Sequence, residues 1–206
     1  MERGRIVLSD FLGHWGNVSI EELCKIALIA AYYKPKNIFE FGTYNGMTTL
    51  QLALNTPPTT HIHTLDISPE MAQRTRFKLT ELDRRVAAQF RERFHTGVGS
   101  YFKGSTAARK ITQHLCDSAS FDYSPFYGKM DMIFIDAAHD YENKKCDSEN
   151  SLKMIAPGGI ILWDNYDDVL NPEVTRYLAE LALELPLHHL RGTPLVAYLH
   201  KYPMGS

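Results

Sequence analysis

The stretch "NIFEFGTYNGMTTLQLALN", residues 37–55, decides the fold. Residues 37–41 form a short apolar run that predicts a buried strand, and residues 46–55 have the apolar spacing of a helix. The turn between them contains Gly42 and Gly46. A strand that leads through such a turn into a helix is typical of an α/β protein with a parallel sheet.

The same alternation continues along the chain. Further strands are predicted at residues 61–67, 111–116, 130–136 and 160–165, and helices at 19–33, 141–155 and 172–185. Residues 187–190 and 195–200 predict a terminal hairpin, and "APGG" at 156–159 is expected to end a helix. Because several strands are continuous apolar runs, we expect a sheet that is covered on both faces.

These elements predict one α/β domain over residues 1–206. It is expected to be Rossmann-like, a doubly wound and mostly parallel sheet with an antiparallel C-terminal strand. Residues 1–35 would form an N-terminal helical cap segment, within which Ser19 and Glu22 have the spacing of a capping box. Residues 69–110, which are polar and begin with Ser68-Pro69-Glu70, would form a helical insertion or lid.

The composition argues against some classes of function. The chain is 44% hydrophobic and 22% charged with a formal net charge of -2, so no basic field favours nucleic acid. The arginines of residues 74–93 are interleaved with Glu81, Asp83 and Glu92, which predicts a solvated helix face. No apolar run approaches a membrane span. Three scattered cysteines without a CxxC pair favour a reduced, cytoplasmic setting.

Acidic or amide side chains lie at the ends of all five predicted parallel strands. They are Glu40, Asp66, Asp117, Asp136 and the pair Asp164-Asn165. Any one of them can be a helix cap or a turn residue. In an open parallel sheet, however, ligands bind beyond the carboxyl ends of the strands, so five together indicate a binding site.

The loop after the first predicted strand limits the class of ligand that can bind. A dinucleotide site would show GxGxxG, but Thr43 stands where the second glycine is needed, which argues against an NAD-dependent dehydrogenase. Glu40 at the strand tip suits a ligand with a positive group, and Asp66 can accept hydrogen bonds from ribose hydroxyls. S-adenosylmethionine combines a ribose with a cationic amino-acid group and has no phosphate.

The motifs resemble those of a known family. "FEFGTYNGMTT" (39–49) resembles motif I of the class I S-adenosylmethionine-dependent methyltransferases, and Asp66 matches the acid at the end of their second strand. "CDSASF" (116–121) and "PGGIILWDN" (157–165) extend the likeness over about residues 20–200. The resemblance implies that the methionine part of the cofactor is bound near Glu40, Gly42 and Gly46, its ribose by Asp66, and its adenine near Asp117 and Ser118. The full implied cofactor set is Glu40, Gly42, Thr43, Gly46, Thr48, Asp66, Ile67, Asp117, Ser118 and Asp136.

Asp136, Asp164 and Asn165 predict a metal site if the fourth and fifth strands are neighbours. Two carboxylates and an amide oxygen suit Mg²⁺, Ca²⁺ or Mn²⁺. The layout is similar to the metal-dependent branch of the family, the catechol-type and macrolide-sugar O-methyltransferases. The alternative is that Asp164-Asn165 only turns the chain.

His139 is the predicted general base, with Asp136 the other catalytic residue. An imidazole titrates near neutral pH and can take a proton from a substrate hydroxyl. Catechol-type relatives have Lys in this place and the sugar-modifying relatives have His. Asp140 is expected to cap the next helix, and Trp163 to lie in the core.

The function predicted is therefore a divalent-cation-assisted O-methyltransferase that acts on a small molecule with a hydroxyl group, such as a natural-product sugar, phenol or polyketide. Aromatic residues in 10–17, 95–105 and 122–127 would line its pocket. Two alternatives stay open: a metal-independent N- or RNA methyltransferase, and a non-catalytic S-adenosylmethionine-binding protein. Neither a nucleic acid nor a membrane is expected as a partner, and a homo-oligomer stays open.

Overall fold

The computed structural model describes residues 5–9, 16–68, 70–71, 74–81, 83–85, 88 and 97–201. The helices with both ends among these residues are α1 (Ile20–Tyr33), α2 (Met47–Leu54), α3 (Tyr141–Met154) and α4 (Pro172–Leu181). The strands are β1 (Asn37–Phe41), β2 (His61–Asp66), β3 (Ile111–Leu115), β4 (Met130–Ile135), β5 (Ile155–Trp163), β6 (His188–His189) and β7 (Val196–Leu199).

The strands of the described chain form one sheet in the order β3-β2-β1-β4-β5-β7-β6. The first five pair in parallel, and β7 runs antiparallel to both β5 and β6. The predicted fold class is confirmed. The strand order reverses between β1 and β4, and such a reversal opens a crevice at the carboxyl edge of the sheet.

Helices cover both faces of the sheet. On β1, Ile38 packs in a core with residues of α1 and α2, while Phe39 and Phe41 point to the other face and pack with residues of α3 and α4. Trp163 is fully buried in this second core, as predicted, and its Nε1 donates to the Ser148 hydroxyl at 2.8 Å. Because both faces are buried, the strands carry the continuous apolar runs seen in the sequence.

Both predicted helix caps are present. The Ser19 side chain accepts from the Glu22 backbone N–H at 3.3 Å, and Glu22 Oε2 accepts from the Ser19 N–H at 2.5 Å. Asp140 Oδ1 accepts from the Asn143 N–H at 2.9 Å and begins α3. Each cap satisfies backbone donors that lack a partner in the first turn of a helix.

Two predicted boundaries are wrong. The helix expected to end at residues 156–159 does end just before them, at Met154, but the strand expected at 160–165 is β5, which already begins at Ile155 with a shift in its register to β4. Such a bulge accommodates Pro157, which has no N–H, while the Gly158 N–H donates to the carbonyl of His200 at 2.8 Å. The helix expected over 172–185 ends at Leu181, and turns fill the residues before Pro186, which disfavours helix at its N-terminal side.

Part of the segment 69–110 lies outside the described residues. Residues 74–80 are not helical, contrary to the expected helix, but residues 81, 83–85 and 88 are helical, and residues 106–110 form a 3-10 helix (Thr106–Lys110) just before β3. The domain boundaries and the lid stay predictions. In the described part of the chain, no helix is long and apolar enough to cross a membrane.

Candidate active site

The ends of β1 and β4 approach closely at the reversal of strand order. Gly42 follows β1 with a φ of 92°, and Asp136, which follows β4, donates its N–H to the carbonyl of Phe41 at 2.9 Å. A Cβ on Gly42 would lie 2.1 Å from the carbonyl oxygen of Asp136. Glycine is therefore required here both by its left-handed backbone and by the contact between the two strand ends.

A cavity of about 590 Å³ opens at this edge of the sheet. Its volume falls in the range of about 300–1,000 Å³ that is usual for small-molecule sites. The predicted site residues that line it are Gly42, Asp66, Ile67, Asp117, Ser118, Asp136, His139, Asp164 and Asn165. The fold thus gathers residues from the ends of β1 to β5 around one space.

Four residues of the implied cofactor set do not line the cavity. They are Glu40, Thr43, Gly46 and Thr48. The Thr43 hydroxyl lies 2.7 Å from that of Thr64, and a Cβ on Gly46 would be 2.6 Å from the ring of Phe102. These residues lie behind the cavity wall and pack around the β1–α2 turn.

Glu40 lies beneath the site and does not line the cavity. It is fully buried, and its Oε2 accepts hydrogen bonds from the hydroxyls of Thr49 and Thr64. Burial raises the pKa of Glu40 to about 8, and the charges of Asp136 and Asp66 add to this increase against the opposing hydrogen bonds. A carboxyl group with this pKa is largely protonated at neutral pH.

Asp66 and Asp117 use their carboxylates to hold backbone segments. Asp66 accepts from the N–H of Tyr44 at 2.6 Å and of Ile67 at 2.7 Å. Burial raises the pKa of Asp66, and these hydrogen bonds oppose that increase. Asp117 accepts from the N–H of Arg76 at 2.8 Å and of Ala119 at 3.1 Å. Both acids therefore tie loops to the ends of β2 and β3.

His139 forms a close pair with Asp83. His139 Nδ1 lies 2.6 Å from Asp83 Oδ1, which also accepts the His139 backbone N–H at 3.2 Å. Burial raises the pKa of Asp83, but the hydrogen bonds from His139 and Thr80 outweigh it, so the net pKa is lowered. An ionised Asp83 accepts a hydrogen bond from Nδ1–H of a neutral His139, which leaves the lone pair on Nε2 of a ring that lines the cavity.

Asp83 is the site residue that sequence reasoning missed. Its place among the arginines predicted a solvated helix face, but its side chain is only 9% exposed. The spacing of Thr80 and Asp83 resembles a capping box, and Asp83 Oδ2 does accept from the Thr80 N–H at 2.8 Å. That local signal carries no information about His139, which is 56 positions away in the chain.

Asp136 and Asp164 are two neighbouring carboxyl groups with raised pKa values. Burial raises the pKa of Asp136 to about 6, and Lys144 opposes this increase. The pKa of Asp164 is raised by burial and then by the charge of Asp136. Asn165, at a φ of 73°, donates its Nδ2 to Asp164 Oδ2 at 3.1 Å. Asp164 Oδ1 and Asn165 Oδ1 are buried without a hydrogen-bond partner.

These unpaired oxygens fit a hard cation. Within the described residues, no three His, Cys, Asp or Glu side chains already surround a common point as a metal centre would require. The predicted metal site is not a group of that kind, because it combines two carboxylates with an amide oxygen. A buried oxygen atom that lacks a donor is unfavourable unless a cation or a proton joins it. Asp136, Asp164 and Asn165 therefore suit an ion such as Mg²⁺ or Ca²⁺.

The rest of the cavity wall differs from the expected aromatic pocket. Residues 10–15 lie outside the described residues, while Gly16, Asn17 and Val18 line the cavity. The aromatic rings of 121–126 pack instead against Phe39 and each other on the sheet face. Aromatic lining comes instead from Phe41 and Tyr44, and further lining residues include Thr75, Leu79, Val98, Leu170 and Asn171.

The fold and the cavity define a doubly wound α/β protein with a ligand site at its topological switch point. Residues 39–166 match the model of a family described as "Methyltransferase domain". The chain therefore belongs to this methyltransferase family, and the recognition of a class I, S-adenosylmethionine-dependent methyltransferase is confirmed. Among curated proteins, none matches the sequence significantly.

Solved structures share the fold. An O-methyltransferase from Bacillus cereus in complex with SAH is 20% identical with a TM-score of 0.62, covering 90% of this chain and 84% of that one. TomG from Streptomyces achromogenes, an O-methyltransferase involved in tomaymycin synthesis and solved with SAM, is 19% identical with a TM-score of 0.60, covering 89% and 82%. The SAH-bound methyltransferase PaMTH1 of Podospora anserina is 20% identical with a TM-score of 0.61, covering 91% and 81%.

Proposed function

We propose that this methyltransferase transfers the methyl group of S-adenosylmethionine to a hydroxyl oxygen of a small molecule. The observation that carries the proposal is a single cavity in which the His139–Asp83 pair lies near an oxygen-only group of side chains. A basic imidazole and a cation site suit an acceptor that must lose a proton before it attacks. The O-methyltransferase neighbours from Bacillus cereus and Streptomyces achromogenes support the same choice.

The cavity has two ends. We call Gly42, Asp66, Ile67, Asp117 and Ser118 the cofactor end. Its main-chain turn lets a ligand approach the backbone, and Asp66 and Asp117 would accept further hydrogen bonds from the ribose and adenine parts. When bound, S-adenosylmethionine supplies an electrophilic methyl group on sulfur. The protein residues at this end orient it and exclude water.

We call Asp83, Asp136, His139, Asp164 and Asn165 the acceptor end. Asp136, Asp164 and Asn165 would hold a divalent cation, which lowers the pKa of a substrate hydroxyl. His139 Nε2 takes the hydroxyl proton, and Asp83 keeps Nδ1 protonated and stabilises the imidazolium that forms. Holding the nucleophile in line with the methyl group supplies much of the remaining rate enhancement.

The type of acceptor and the cellular location are proposed from the same features. A cavity of about 590 Å³ suits a cofactor and a small acceptor, and the near-neutral chain does not favour a nucleic acid. All three cysteines are unpaired, which supports the predicted cytoplasmic location. Natural-product sugars, phenols and polyketides stay the predicted acceptors, and assembly into a homo-oligomer stays open.

A metal-independent methyltransferase is the second candidate. It is favoured by the observation that, among the described residues, no three His, Cys, Asp or Glu side chains surround a common point. In that case a shared proton would join Asp136 and Asp164, whose pKa values are raised. A non-catalytic S-adenosylmethionine-binding protein would use only the cofactor end.

The test is methyl transfer from radiolabelled S-adenosylmethionine to a panel of sugars, phenols, polyketides and amines, with and without EDTA. The proposal expects a hydroxyl acceptor, loss of turnover in EDTA and recovery on adding Mg²⁺ or Ca²⁺. Full turnover in EDTA would favour the metal-independent candidate. Transfer to amines alone would contradict the oxygen acceptor, and cofactor binding with no transfer to the panel would favour the non-catalytic protein.

A further inference from the structure

Asn143, in the first turn of α3, is a polar residue of the cavity wall to which the sequence assigns no role. It is 5% exposed and lines the cavity. Asp140 holds it at two points. Asp140 Oδ1 accepts the Asn143 backbone N–H at 2.9 Å, and Asp140 Oδ2 accepts from Asn143 Nδ2 at 2.7 Å. The residue that caps α3 therefore also fixes the side chain of Asn143.

This clamp decides which end of the carboxamide is free. The nitrogen faces Asp140, because an ionised carboxylate only accepts hydrogen bonds and an amide oxygen in that place would bring no donor. The oxygen, Oδ1, accepts no hydrogen bond from the described residues, and it is not one of the enclosed polar atoms that lack a partner. Asn143 therefore presents a hydrogen-bond acceptor of fixed orientation at the cavity wall.

Asn143 lies towards the cofactor end of the cavity. Helix α3 packs against the short turn Ser118–Ser120, and Ser118 and Asn143 line the same cavity. Asp147 follows Asn143 by one helical turn, on the same face of α3, and has the Ser118 side chain as a hydrogen-bond partner. The Asn143 carboxamide thus faces the part of the cavity where the family resemblance implies the adenine.

Adenine carries the donor that the Asn143 oxygen lacks. Its exocyclic 6-amino group has two N–H donors, whereas its free ring nitrogens only accept hydrogen bonds. The other acceptor implied near the adenine is Asp117, whose two oxygens already accept the backbone N–H groups of Arg76 at 2.8 Å and Ala119 at 3.1 Å. Asn143 Oδ1 has no such N–H to hold, so it is the acceptor that is left for the amino group.

We propose that Asn143 is a specificity-determining residue for the cofactor, its Oδ1 accepting a hydrogen bond from the 6-amino group of the adenine. Asp140 is a positioning residue, which keeps the carboxamide from turning over. The inference rests on the proposed function, because it concerns the cofactor of that function. A purine with a 6-oxo group in place of the amino group would bring a second acceptor against Asn143 Oδ1, and the pair of oxygens would lack a donor.

The experiment measures the affinity of the full chain for S-adenosylhomocysteine and S-inosylhomocysteine by calorimetry. The two molecules differ in the 6-amino and 6-oxo groups and in the N1 proton that accompanies the oxo form. We expect the wild type to prefer the adenosyl compound by at least about tenfold, since a site built for a donor rejects an analogue without it. Asn143→Leu is close in size and removes the acceptor, so it should lower this preference by at least about threefold.

Two further variants separate the reading of adenine from a structural role. Asp140→Ser keeps a capping oxygen but frees Asn143 Nδ2 to turn towards a 6-oxo group, so the affinity for S-inosylhomocysteine should rise relative to the adenosyl compound. Asn150→Leu is the matched control on the same helix. Asn150 Nδ2 donates to the carbonyl of Cys146 at 2.9 Å and the residue does not line the cavity, so the preference should stay within about twofold of wild type.

The outcomes separate the inference from the function on which it rests. If the wild type binds both compounds equally well, or if Asn143→Leu keeps the wild-type preference, the inference is overturned and the methyltransferase stands. If Asn150→Leu loses as much of the preference as Asn143→Leu, the effect runs through the helix and the inference is overturned as well. An unchanged preference in Asn143→Leu with a raised KM for the hydroxyl acceptor would place Asn143 at the acceptor end. If the wild type binds neither compound, the proposed function and the inference both fall.

Discussion

The acids at the two ends of the cavity are held in different ways. At the cofactor end, Asp66 and Asp117 each accept two backbone N–H groups at 2.6 to 3.1 Å. At the acceptor end, Asp164 and Asn165 each keep a buried oxygen without a donor. The first arrangement is complete within the protein, whereas the second requires a proton or a cation. The carboxylates of Asp66 and Asp117 are thus held by the backbone, whereas Asp164 and Asn165 keep oxygens that the protein itself does not satisfy.

The largest effect is expected at Gly42, where the two ends meet. In Gly42→Ala the new Cβ would lie 2.1 Å from the Asp136 carbonyl oxygen at a φ of 92°. Backbone atoms must then move, so we expect a loss of about 3 kcal/mol or more of stability, together with weaker cofactor binding. Chemical denaturation measures the first and calorimetry the second.

Gly128→Ala is the matched control. Gly128 has a φ of 66° but no atom within 4 Å of the added Cβ. The variant therefore has the backbone strain without the close contact, and it should lose about 1 kcal/mol of stability. Equal losses in the two variants would show that the close approach of β1 and β4 contributes nothing.

The second largest effect is expected on turnover when His139, the proposed general base, is replaced. His139→Ala should lower turnover by about 10²- to 10⁴-fold and leave the affinity for S-adenosylmethionine unchanged, because the residue acts on the acceptor. Asp83→Asn should give a smaller loss, since it disturbs the orientation of the imidazole without removing it. Single-turnover kinetics and calorimetry measure both.

His188→Ala, at an exposed position of β6, is the control and should behave as wild type. Turnover by His139→Ala at the wild-type rate would remove His139 as the base. A large loss of cofactor affinity in that variant would instead place His139 at the cofactor end.

Two variants test the difference between the cofactor end and the acceptor end directly. Asp66→Asn should weaken S-adenosylmethionine binding by about tenfold, since an amide group replaces an acceptor of backbone N–H groups, and should leave Mn²⁺ affinity unchanged. Asp164→Asn should do the reverse, because it removes one charge of the acidic pair. Calorimetry with each ligand measures both, and the two ends act as one unit if either variant weakens both ligands equally.

The smallest effect is a pH dependence from Glu40. Its folded pKa of about 8 lies above the usual 4.5, so the unfolded chain loses this proton first as pH rises. Stability from Glu40 is therefore fully present below pH 4.5 and is lost as pH rises towards about 8. Glu40→Gln cannot ionise, so its free energy of unfolding should fall less between pH 5.5 and 8.5, by about 1 kcal/mol or more.

Urea denaturation at the two pH values measures this difference. Glu184→Gln, at an exposed position, is the control and should keep the wild-type pH dependence. If Glu40→Gln also keeps it, Glu40 is not the buried acid that the structure describes.

Local features of this fold follow from local sequence. Ser19 with Glu22 and Asp140 before α3 predict helix starts because a cap is formed by residues three positions apart. The apolar strands and intervening helices likewise predict the doubly wound sheet, and its topology brings the strand ends to one edge. The extended stretch at 156–159 was missed because a bulge depends on the neighbouring strand.

What each acid does was decided only by the tertiary structure. The sequence determined that acids end five strands, and hence that a site lies at that edge. It could not determine that Glu40 is fully buried, or that Asp83, which lies among arginines in the sequence, pairs with His139. Burial and charge partners depend on contacts between residues that are far apart in the chain, and these two quantities govern whether a carboxylate caps, supports or binds.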